Sequence, residues 1–289
     1  MTLNPWRQSP RDPDFVQNPY PAYGTARALG PLVFWEDYGF PVATTYAAVN
    51  TVLRDRRFGR APTAWPPVPD HLLPFYHIKR LGMLEREPPA HTRLRALVTR
   101  AFTSSSVEAL RPMIADVAAG LAAALQPGED LITGFAEKLP ATIIARYIGV
   151  PDAEVPQLLA WSHAMVAMYQ ARRDRAIEDA AVAATLAFAD RLRALIADRR
   201  RAPRDDLLSR LIAAREADAA LSEEEIIANT VLLLNAGHEA TVHTIGNGLV
   251  ALLAGGRSLS EATAGADWPA LAEEILRFCP PLHLFTRYA

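Results

Sequence analysis

The sequence contains one cysteine, Cys279, among 289 residues. A single thiol excludes internal disulfides and zinc centres built from several cysteines, and it is typical of proteins from a reducing compartment. Lysine is nearly absent as well, because the basic residues are arginines apart from Lys79 and Lys138. The net charge of −2 provides no overall positive field. Nucleic acid and an anionic membrane surface are therefore not expected as partners.

Long apolar runs are also missing. The N-terminal segment MTLNPWRQSPRDPDFVQNPY has prolines and charges where a secretory signal has its apolar stretch. No other segment is apolar for long enough to cross a bilayer as a helix. Hydrophobic residues still make up 50% of the chain, which is ordinary for a globular protein. We therefore expect a soluble, cytoplasmic protein with a large core.

Turn-forming residues divide the sequence into mostly helical segments. Repeated prolines near the N-terminus predict an extended arm, and the segment PLVFWEDYGFPVATT has the pattern of a β-hairpin. A Pro-rich stretch at 61–75 predicts a long loop. From Pro89 onward, Ala- and Leu-rich segments broken at Gly and Pro predict successive helices. Without a repeat or an evident linker, we predict one mainly α domain over residues 1–289 with a small sheet near the N-terminus.

The longest predicted helix spans residues 222–254. Ser222 and Glu225 form a capping box at its start, and Gly255-Gly256 ends it. Because its middle is apolar on nearly every face, we expect it to cross the interior. One stripe of this helix contains only small residues, namely Gly237, Ala240, Thr241, Thr244 and Gly248. Such a stripe suits either a closely packed neighbouring helix or a flat bound group.

The same helix contains HEATVH, which is one residue longer than the HExxH motif of zinc hydrolases. Histidines at i and i+4 stand about 40° apart on a helix, whereas His238 and His243 stand about 140° apart. We therefore predict that these two histidines do not share a zinc ion. Glu239 has two open interpretations, because a buried carboxylate needs a partner or a use. It pairs with His243 one turn away, or it relays protons together with Thr241.

Three separated segments resemble the cytochrome P-450 family, and they occur in the family's order. NAGHEATVHTIGNG resembles the central helix, whose pattern is Ala/Gly-Gly-x-Asp/Glu-Thr-Thr/Ser. EREPPAHTRLRALVTRAFT resembles the Pro-x-His-x-x-x-Arg segment, and EEILRFCPPLHLFTRYA resembles the Glu-x-x-Arg helix with its double proline and following strand. The early segment NPYPAYGTARALGPLVF resembles soluble bacterial members. The resemblance covers the whole chain and implies a P-450-like helical fold.

The resemblance implies a monooxygenase that uses haem (haem b, containing iron) and O₂ to insert one oxygen atom into a small hydrophobic organic substrate. A ferredoxin-type or flavin redox partner is implied as the electron source. His91 and Arg95 are i and i+4 on one helix face, which suits two oxygens of an anionic group. By resemblance these two residues and Arg287 bind the haem propionates.

The resemblance also assigns roles on the long helix. Ala236, Gly237 and Ala240 are expected over the distal face of the haem, which is the face opposite the cysteine ligand. Glu239 and Thr241 are the catalytic candidates, with Glu239 supplying protons during oxygen activation.

Two further sets of residues follow from the resemblance or from their position. Glu274 and Arg277 match the Glu-x-x-Arg pair, which has a structural role in the family. Substrate contacts are the least specific expectation, because Met and aromatic residues at helical spacing are commonly core. The candidates for them are Trp65, Phe75, Met165 and His283.

Two departures from the family pattern stand out. Ala240 occupies the usual threonine position, and the hydroxyl comes one residue later at Thr241, about 100° further around the helix. No cysteine-ligand loop is recognisable, and Cys279 beside Pro280-Pro281 is in the wrong context for it. We therefore expect no metal ligand in this chain and a P-450-like domain that lacks its C-terminal haem-ligand part. The alternative is a haem-free, non-catalytic helical remnant that acts by binding.

Overall fold

The computed structural model describes residues 2–170, 172–216 and 221–289, without the side chains of residues 100, 101 and 214–216. It divides into two units. The first consists of Met1–Pro67, Tyr169–Arg175 and Thr286–Ala289, and the second of Val68–Met168 and Ala176–Phe285. The expectation of a single domain over the whole chain stays a prediction.

The first unit contains a three-stranded sheet in the order β1-β2-β3. Its strands are β1 (Asn4–Trp6), β2 (Leu32–Trp35) and β3 (Phe40–Ala43). The antiparallel pair of β2 and β3 is the hairpin predicted from the sequence, and β1 pairs in parallel with β2. Trp35 anchors this unit, because its indole Nε1 donates a hydrogen bond to the carbonyl of Gln8 at 2.7 Å and its ring lies 4.3 Å from that of Trp6.

Three helices accompany the sheet: α1 (Pro13–Gln17), α2 (Tyr20–Leu29) and α3 (Tyr46–Arg54). The prediction of an extended N-terminal arm is wrong at α1. Pro13 takes the first position of that helix, where a missing N–H is tolerated, and Asp12 caps it by accepting from the backbone N–H of Asp14. The small core of this unit consists of Trp6, Phe15, Ala26, Val33 and Trp35.

The second unit is helical and holds the main hydrophobic core. Its helices are α4 (Leu73–Leu81), α5 (Ala90–Ala101), α6 (Ser104–Glu108), α7 (Arg111–Ala124), α8 (Lys138–Ile148), α9 (Val155–Val166), α10 (Arg175–Arg201), α11 (Leu207–Glu216), α12 (Glu223–Leu253), α13 (Leu259–Ala262) and α14 (Trp268–Phe278). A five-residue π-helical turn, Ile132–Ala136, precedes α8. The predicted loop at 61–75 is wrong at its end, because α4 begins at Leu73.

Helix α12 is the central element of the second unit and packs against α4, α8, α9, α11, α13, α14 and the π-helical turn. The predicted capping box is confirmed: Ser222 Oγ accepts from the N–H of Glu225 at 3.1 Å, and Glu225 Oε2 accepts from the N–H of Ser222 at 2.9 Å. The helix ends at Leu253, ahead of Gly255 and Gly256, whose φ angles are positive. Its first half is buried as expected, whereas one face is exposed from Ala236 onward.

The glycines of α12 mark places where neighbouring segments approach closely. A Cβ on Gly248 would lie 2.9 Å from Ile275 of α14, and one on Gly246 would lie 2.9 Å from Ile132. These two glycines therefore serve packing against neighbouring segments. The mainly α fold with a small N-terminal sheet confirms the predicted fold class. In the described residues, no helix has the length and apolar character needed to span a membrane.

Candidate functional site

The middle of α12 presents an open face of small side chains. Ala236 and Gly237 are exposed and Ala240 is half-buried, although neighbouring turns of the helix lie in the core. On one side of this face Gly237 lies next to α8, where a Cβ would meet Ile144 at 3.6 Å, an ordinary contact distance. The open face has space for a flat group against the helix backbone.

Glu239 lies beside this face and within reach of three imidazoles. Its Oε2 is 3.5 Å from Nε2 of His243, and its Oε1 is 3.7 Å from Nδ1 of His238. His163 of α9 approaches the same Oε1 with its Nε2 at 3.9 Å. The pairing of Glu239 with His243 that the spacing suggested is thus present, together with two further histidines.

Burial and mutual contact shift the pKa values of this group. Burial lowers the pKa of His238 to about 4, so its imidazole is neutral near neutral pH. Burial acts to raise the pKa of Glu239, but the hydrogen bond from His243 and the neighbouring histidine charges outweigh it, and the net shift is downward. The pKa of His243 is raised, chiefly by its hydrogen bond to Glu239. An ionised Glu239 is therefore the favoured state at neutral pH.

The hydroxyl groups near Glu239 are turned toward their own helix. Thr241 donates from Oγ1 to the carbonyl of Gly237 at 3.0 Å, and Thr244 donates to the carbonyl of Ala240 at 2.7 Å. Thr241 is exposed, so its oxygen remains accessible to an incoming hydrogen-bond donor. Its predicted catalytic role stays a prediction.

Helix α5 carries the two predicted anion-binding residues. His91 is half-buried and Arg95 is exposed, and within the described residues neither side chain has a hydrogen-bond or ion-pair partner. Arg93, which lies between them, does have one: its guanidinium pairs with Glu225, with Nη1 3.2 Å from Oε2. Arg93 thus attaches α5 to the start of α12, while His91 and Arg95 retain their donors for an external group.

The remaining predicted site residues are spread over both units. Phe75 and Met165 are buried in the main core, and His283 is exposed. Trp65 and Arg287 belong to the first unit, where Arg287 donates from Nη1 to the carbonyl of Thr286 at 3.2 Å. Their roles toward substrate or haem stay predictions.

The Glu-x-x-Arg pair forms on α14. Arg277 donates from Nε and Nη2 to the two carboxylate oxygens of Glu274, each at 2.6 Å. The pair is exposed, and the hydrogen bonds from Arg277 lower the pKa of Glu274. Its geometry is the two-pronged one typical of arginine with a carboxylate.

His163 is the site residue that the sequence analysis missed. It lies 75 positions upstream of His238, and no spacing motif connects the two residues. The available signal is a titratable residue in a mostly apolar helix, since α9 reads VPQLLAWSHAMV. Such a histidine is commonly a core residue, so the signal is weak.

These observations fit the group that the resemblance implies. Haem is flat and carries two carboxylates, which matches an open face of small residues and two hydrogen-bond donors, His91 and Arg95, without partners among the described residues. The arrangement supplies a surface, anion-binding groups and an ionised acid next to that surface. A ligand for the haem iron is not recognisable among the described residues.

Comparison with known proteins identifies relatives that cover most of the chain, although no protein-family model matches it. The biotin biosynthesis cytochrome P450 of Bacillus subtilis is 32% identical over 282 residues, covering 96% of this chain and 71% of that protein. Cytochrome P450 monooxygenase PikC of Streptomyces venezuelae is 34% identical over 285 residues, covering 94% and 65%. The chain therefore spans about two thirds of the length of these relatives.

A solved cytochrome P450 structure is similar to this chain in its fold. The crystal structure of P450BioI in complex with hexadec-9Z-enoic acid ligated acyl carrier protein matches with a TM-score of 0.84 and 29% identity. The match covers 92% of this chain and 70% of that one.

Proposed function

Because the chain belongs to the cytochrome P450 family, we propose that it forms the oxygen-side wall of the haem pocket of a monooxygenase. The open face of α12, with Glu239 beside it, is the observation that carries this proposal. In this family, haem with a cysteine thiolate ligand supplies the activation of dioxygen for insertion of one oxygen atom into a substrate. The relatives named as monooxygenases and hydroxylases support that reaction class.

Ala236, Gly237 and Ala240 provide the surface for the flat cofactor. Their side chains end at Cβ or lack it, so a planar group can approach the helix backbone closely. A larger side chain at an exposed position of this face would occupy the space needed by the cofactor and substrate. The small residues thus determine how much room is left between the helix and the reacting centre.

His91 and Arg95 hold the cofactor's carboxylates. They are one helical turn apart on α5, and charge-assisted hydrogen bonds such as those from the Arg95 guanidinium are roughly twice as strong as neutral ones. The Arg93–Glu225 contact attaches α5 to the start of α12, and we propose that it helps to hold these donors toward the cofactor. Arg287 is proposed to contribute to the same task.

Glu239 transfers protons on the substrate side of the helix. His243 is exposed and exchanges protons with solvent, and its Nε2 donates toward Oε2 of Glu239. From Glu239 the proton passes toward the open face. Ala240 has no hydroxyl there, so a water held by the oxygen of Thr241, or a hydroxyl of the substrate, completes the transfer.

The substrate is proposed to be a small hydrophobic organic molecule, with electrons delivered by a ferredoxin-type or flavin partner. The apolar surroundings of α12 and the fatty-acyl cargo in the P450BioI complex support an apolar substrate. Trp65, Phe75, Met165 and His283 are the proposed substrate-side residues.

A haem titration tests the proposal directly. The chain should bind one haem, with a shift of the Soret band, and Ala236→Phe should weaken binding at least tenfold because it fills the open face. Val250→Phe is the matched control, since Val250 is exposed on the same helix about 21 Å further along its axis than Ala236. Arg95→Ala should weaken binding as well.

Absence of haem uptake by a chain that is folded by circular dichroism would overturn the proposal. So would equal haem affinity of Ala236→Phe and Val250→Phe, because binding would then not use this face. Both variants change exposed positions, so loss of folding is not expected to obscure the comparison.

A further inference from the structure

His163, His238 and Glu239 bring three potential metal ligands together. One ligand atom from each residue lies within 4.8 Å of the other two. Oε1 of Glu239 lies 3.7 Å from Nδ1 of His238 and 3.9 Å from Nε2 of His163. The two imidazole rings are 5.5 Å apart between centroids. Helices α9 and α12 thus converge on one small space with two nitrogens and an oxygen.

The side chain of His238 points to a ligand in that space. It is only 1% exposed, and within the described residues neither ring nitrogen has a hydrogen-bond partner. Leaving a buried polar group unpaired costs about 1–3 kcal/mol, so buried imidazoles are normally satisfied by protein, water or a metal ion. Nδ1 faces the carboxylate of Glu239 but is too far from it for a hydrogen bond.

We propose that His163, His238 and Glu239 form a binding site for a divalent transition metal ion, represented by Zn²⁺. Ligands about 2.1 Å from a tetrahedral zinc ion are about 3.4 Å from each other. The observed oxygen–nitrogen distances of 3.7 and 3.9 Å exceed that separation by about 0.3 and 0.5 Å, and the two ligand nitrogens lie within 4.8 Å of each other, so modest side-chain rotation would close the set around an ion. Water occupies the fourth position, on the side of His163, whose side chain is 44% exposed and gives the ion an entry path.

The protonation states suit this role. A metal-binding imidazole must be neutral and a metal-binding carboxylate ionised. The burial of His238 favours the neutral imidazole over the charged one. Two imidazoles and one carboxylate favour zinc and similar transition metals over Ca²⁺ and Mg²⁺, which prefer sets of oxygen ligands.

The proposed site differs from the HEATVH pattern in the sequence, because it does not include His243. His243 contacts the other carboxylate oxygen, Oε2 of Glu239, and so orients the ligand without joining the set. The second histidine comes from α9 rather than from the same helix. The site requires no haem, but it shares Glu239 with the proposed proton transfer, so metal binding and proton transfer are alternative uses of this carboxylate.

Zinc titration in competition with a chromophoric chelator tests the site near neutral pH. The folded chain should bind one Zn²⁺ with a Kd of about 1 µM or tighter. His163→Gln should raise the Kd more than about 100-fold, which exceeds the 10–100-fold effect of losing an outer-shell partner. His163 is the decisive position because it is half-exposed and its replacement leaves the core intact.

Two controls separate this site from general histidine and thiol binding. His77→Gln removes another histidine that contacts a glutamate of α12, with Nε2 3.3 Å from Oε2 of Glu224, and it should leave the affinity unchanged. Cys279→Ser should also have no effect. The Co²⁺-loaded chain should show d–d bands of a four-coordinate site without a sulfur-to-metal charge-transfer band.

Failure of the wild type to bind zinc would overturn the proposal. Equal zinc affinities of wild type and His163→Gln, or a sulfur-to-cobalt band, would overturn it as well. Haem uptake is followed by the Soret band in a separate titration, so failure of the metal site and failure of the haem proposal are distinguishable.

Discussion

Arg199 and Asp206 form a buried ion pair, with 2.5 Å between Nε and Oδ2 and exposed fractions of only 4% and 5%. Arg199 also donates from Nη2 to the carbonyl of Gly149 at 2.6 Å. Asp206 accepts from the N–H of Ser209 at 2.8 Å in the first turn of α11. The pair therefore connects α10, the start of α11 and the residue that follows α8.

Removal of one partner of this pair should be strongly destabilising. Asp206→Ala leaves a buried guanidinium without its carboxylate, and we expect a loss of about 3–5 kcal/mol in the free energy of unfolding. Asp198→Ala is the control, because Asp198 pairs with Arg201 in an exposed i,i+3 contact and should cost less than about 1 kcal/mol. Urea unfolding measures both values, and equal losses would contradict the importance of the buried pair.

The glycines of α12 should respond to alanine in a defined order. Gly248→Ala should destabilise the protein, because the new Cβ would lie 2.9 Å from both Cγ2 and Cδ1 of Ile275. Gly246→Ala meets only the flexible end of Ile132 and should be near neutral. Gly237→Ala makes an ordinary contact at 3.6 Å and should gain up to about 1 kcal/mol from helix propensity. Thermal unfolding of the three variants checks the order, and a Gly248→Ala variant as stable as Gly237→Ala would disprove it.

Glu154 should contribute to stability in a pH-dependent way. Arg191 donates to both of its carboxylate oxygens at 2.6 Å, and this contact lowers the pKa of Glu154 from its ordinary 4.5. The unfolded chain then binds the proton more readily than the folded one. The stabilisation is therefore fully present above pH 4.5 and is lost as the pH falls through the lower pKa of the folded state.

The measurement compares wild type with Glu154→Gln in urea at a series of pH values. We expect a difference of about 1 kcal/mol near neutral pH that shrinks steadily below pH 4.5. Glu108→Gln is the control, because the exposed Glu108–Arg111 pair is screened by water and should change stability less at every pH. A pH-independent difference for Glu154→Gln would show that the effect is not electrostatic.

In a haem-thiolate holoenzyme that contains this domain, Glu239→Gln should slow proton-dependent oxygen activation in a turnover assay with a redox partner. Loss of a positioned general acid–base group typically reduces the rate by about 10²-fold or more. Glu224→Gln, on the same helix but in contact with Arg193 and His77, should retain turnover. The readout is the ratio of substrate oxidised to electron donor consumed. Unchanged coupled turnover of Glu239→Gln would rule out its role in proton transfer.

Capping and turn residues in the sequence predicted the ends of the longest helix correctly. The capping box at Ser222 and Glu225 places the start of α12 correctly, and Gly255-Gly256 limits its end. Proline misled the prediction in α1 and α4, because Pro13 and Pro74 occupy the first turn of those helices, where proline is tolerated. Strand β1 was not predicted, because its partner β2 lies nearly thirty residues away and local pattern does not report such pairing.

The candidate site was predictable only in part. Glu239 and the small residues around it share one helix, so the helical period alone places them together. The presence of His163 depends on how α9 packs against α12, which no spacing in the sequence encodes. The exposed face at Ala236 also depends on tertiary packing, since Ala228 of the same helix is buried while Ala236 is exposed.

Glu225 serves two contacts with a single carboxylate. It accepts from the N–H of Ser222 in the first turn of α12, and it pairs with the guanidinium of Arg93 on α5. Opening of that turn therefore weakens the attachment of α5, and release of α5 weakens the turn. In native-state hydrogen exchange, the first-turn amides of α12 and the amides of α5 should open as one cooperative unit. The carboxylate thus couples the folding of the first turn of α12 to that of α5, although the two helices are more than 100 residues apart in the chain.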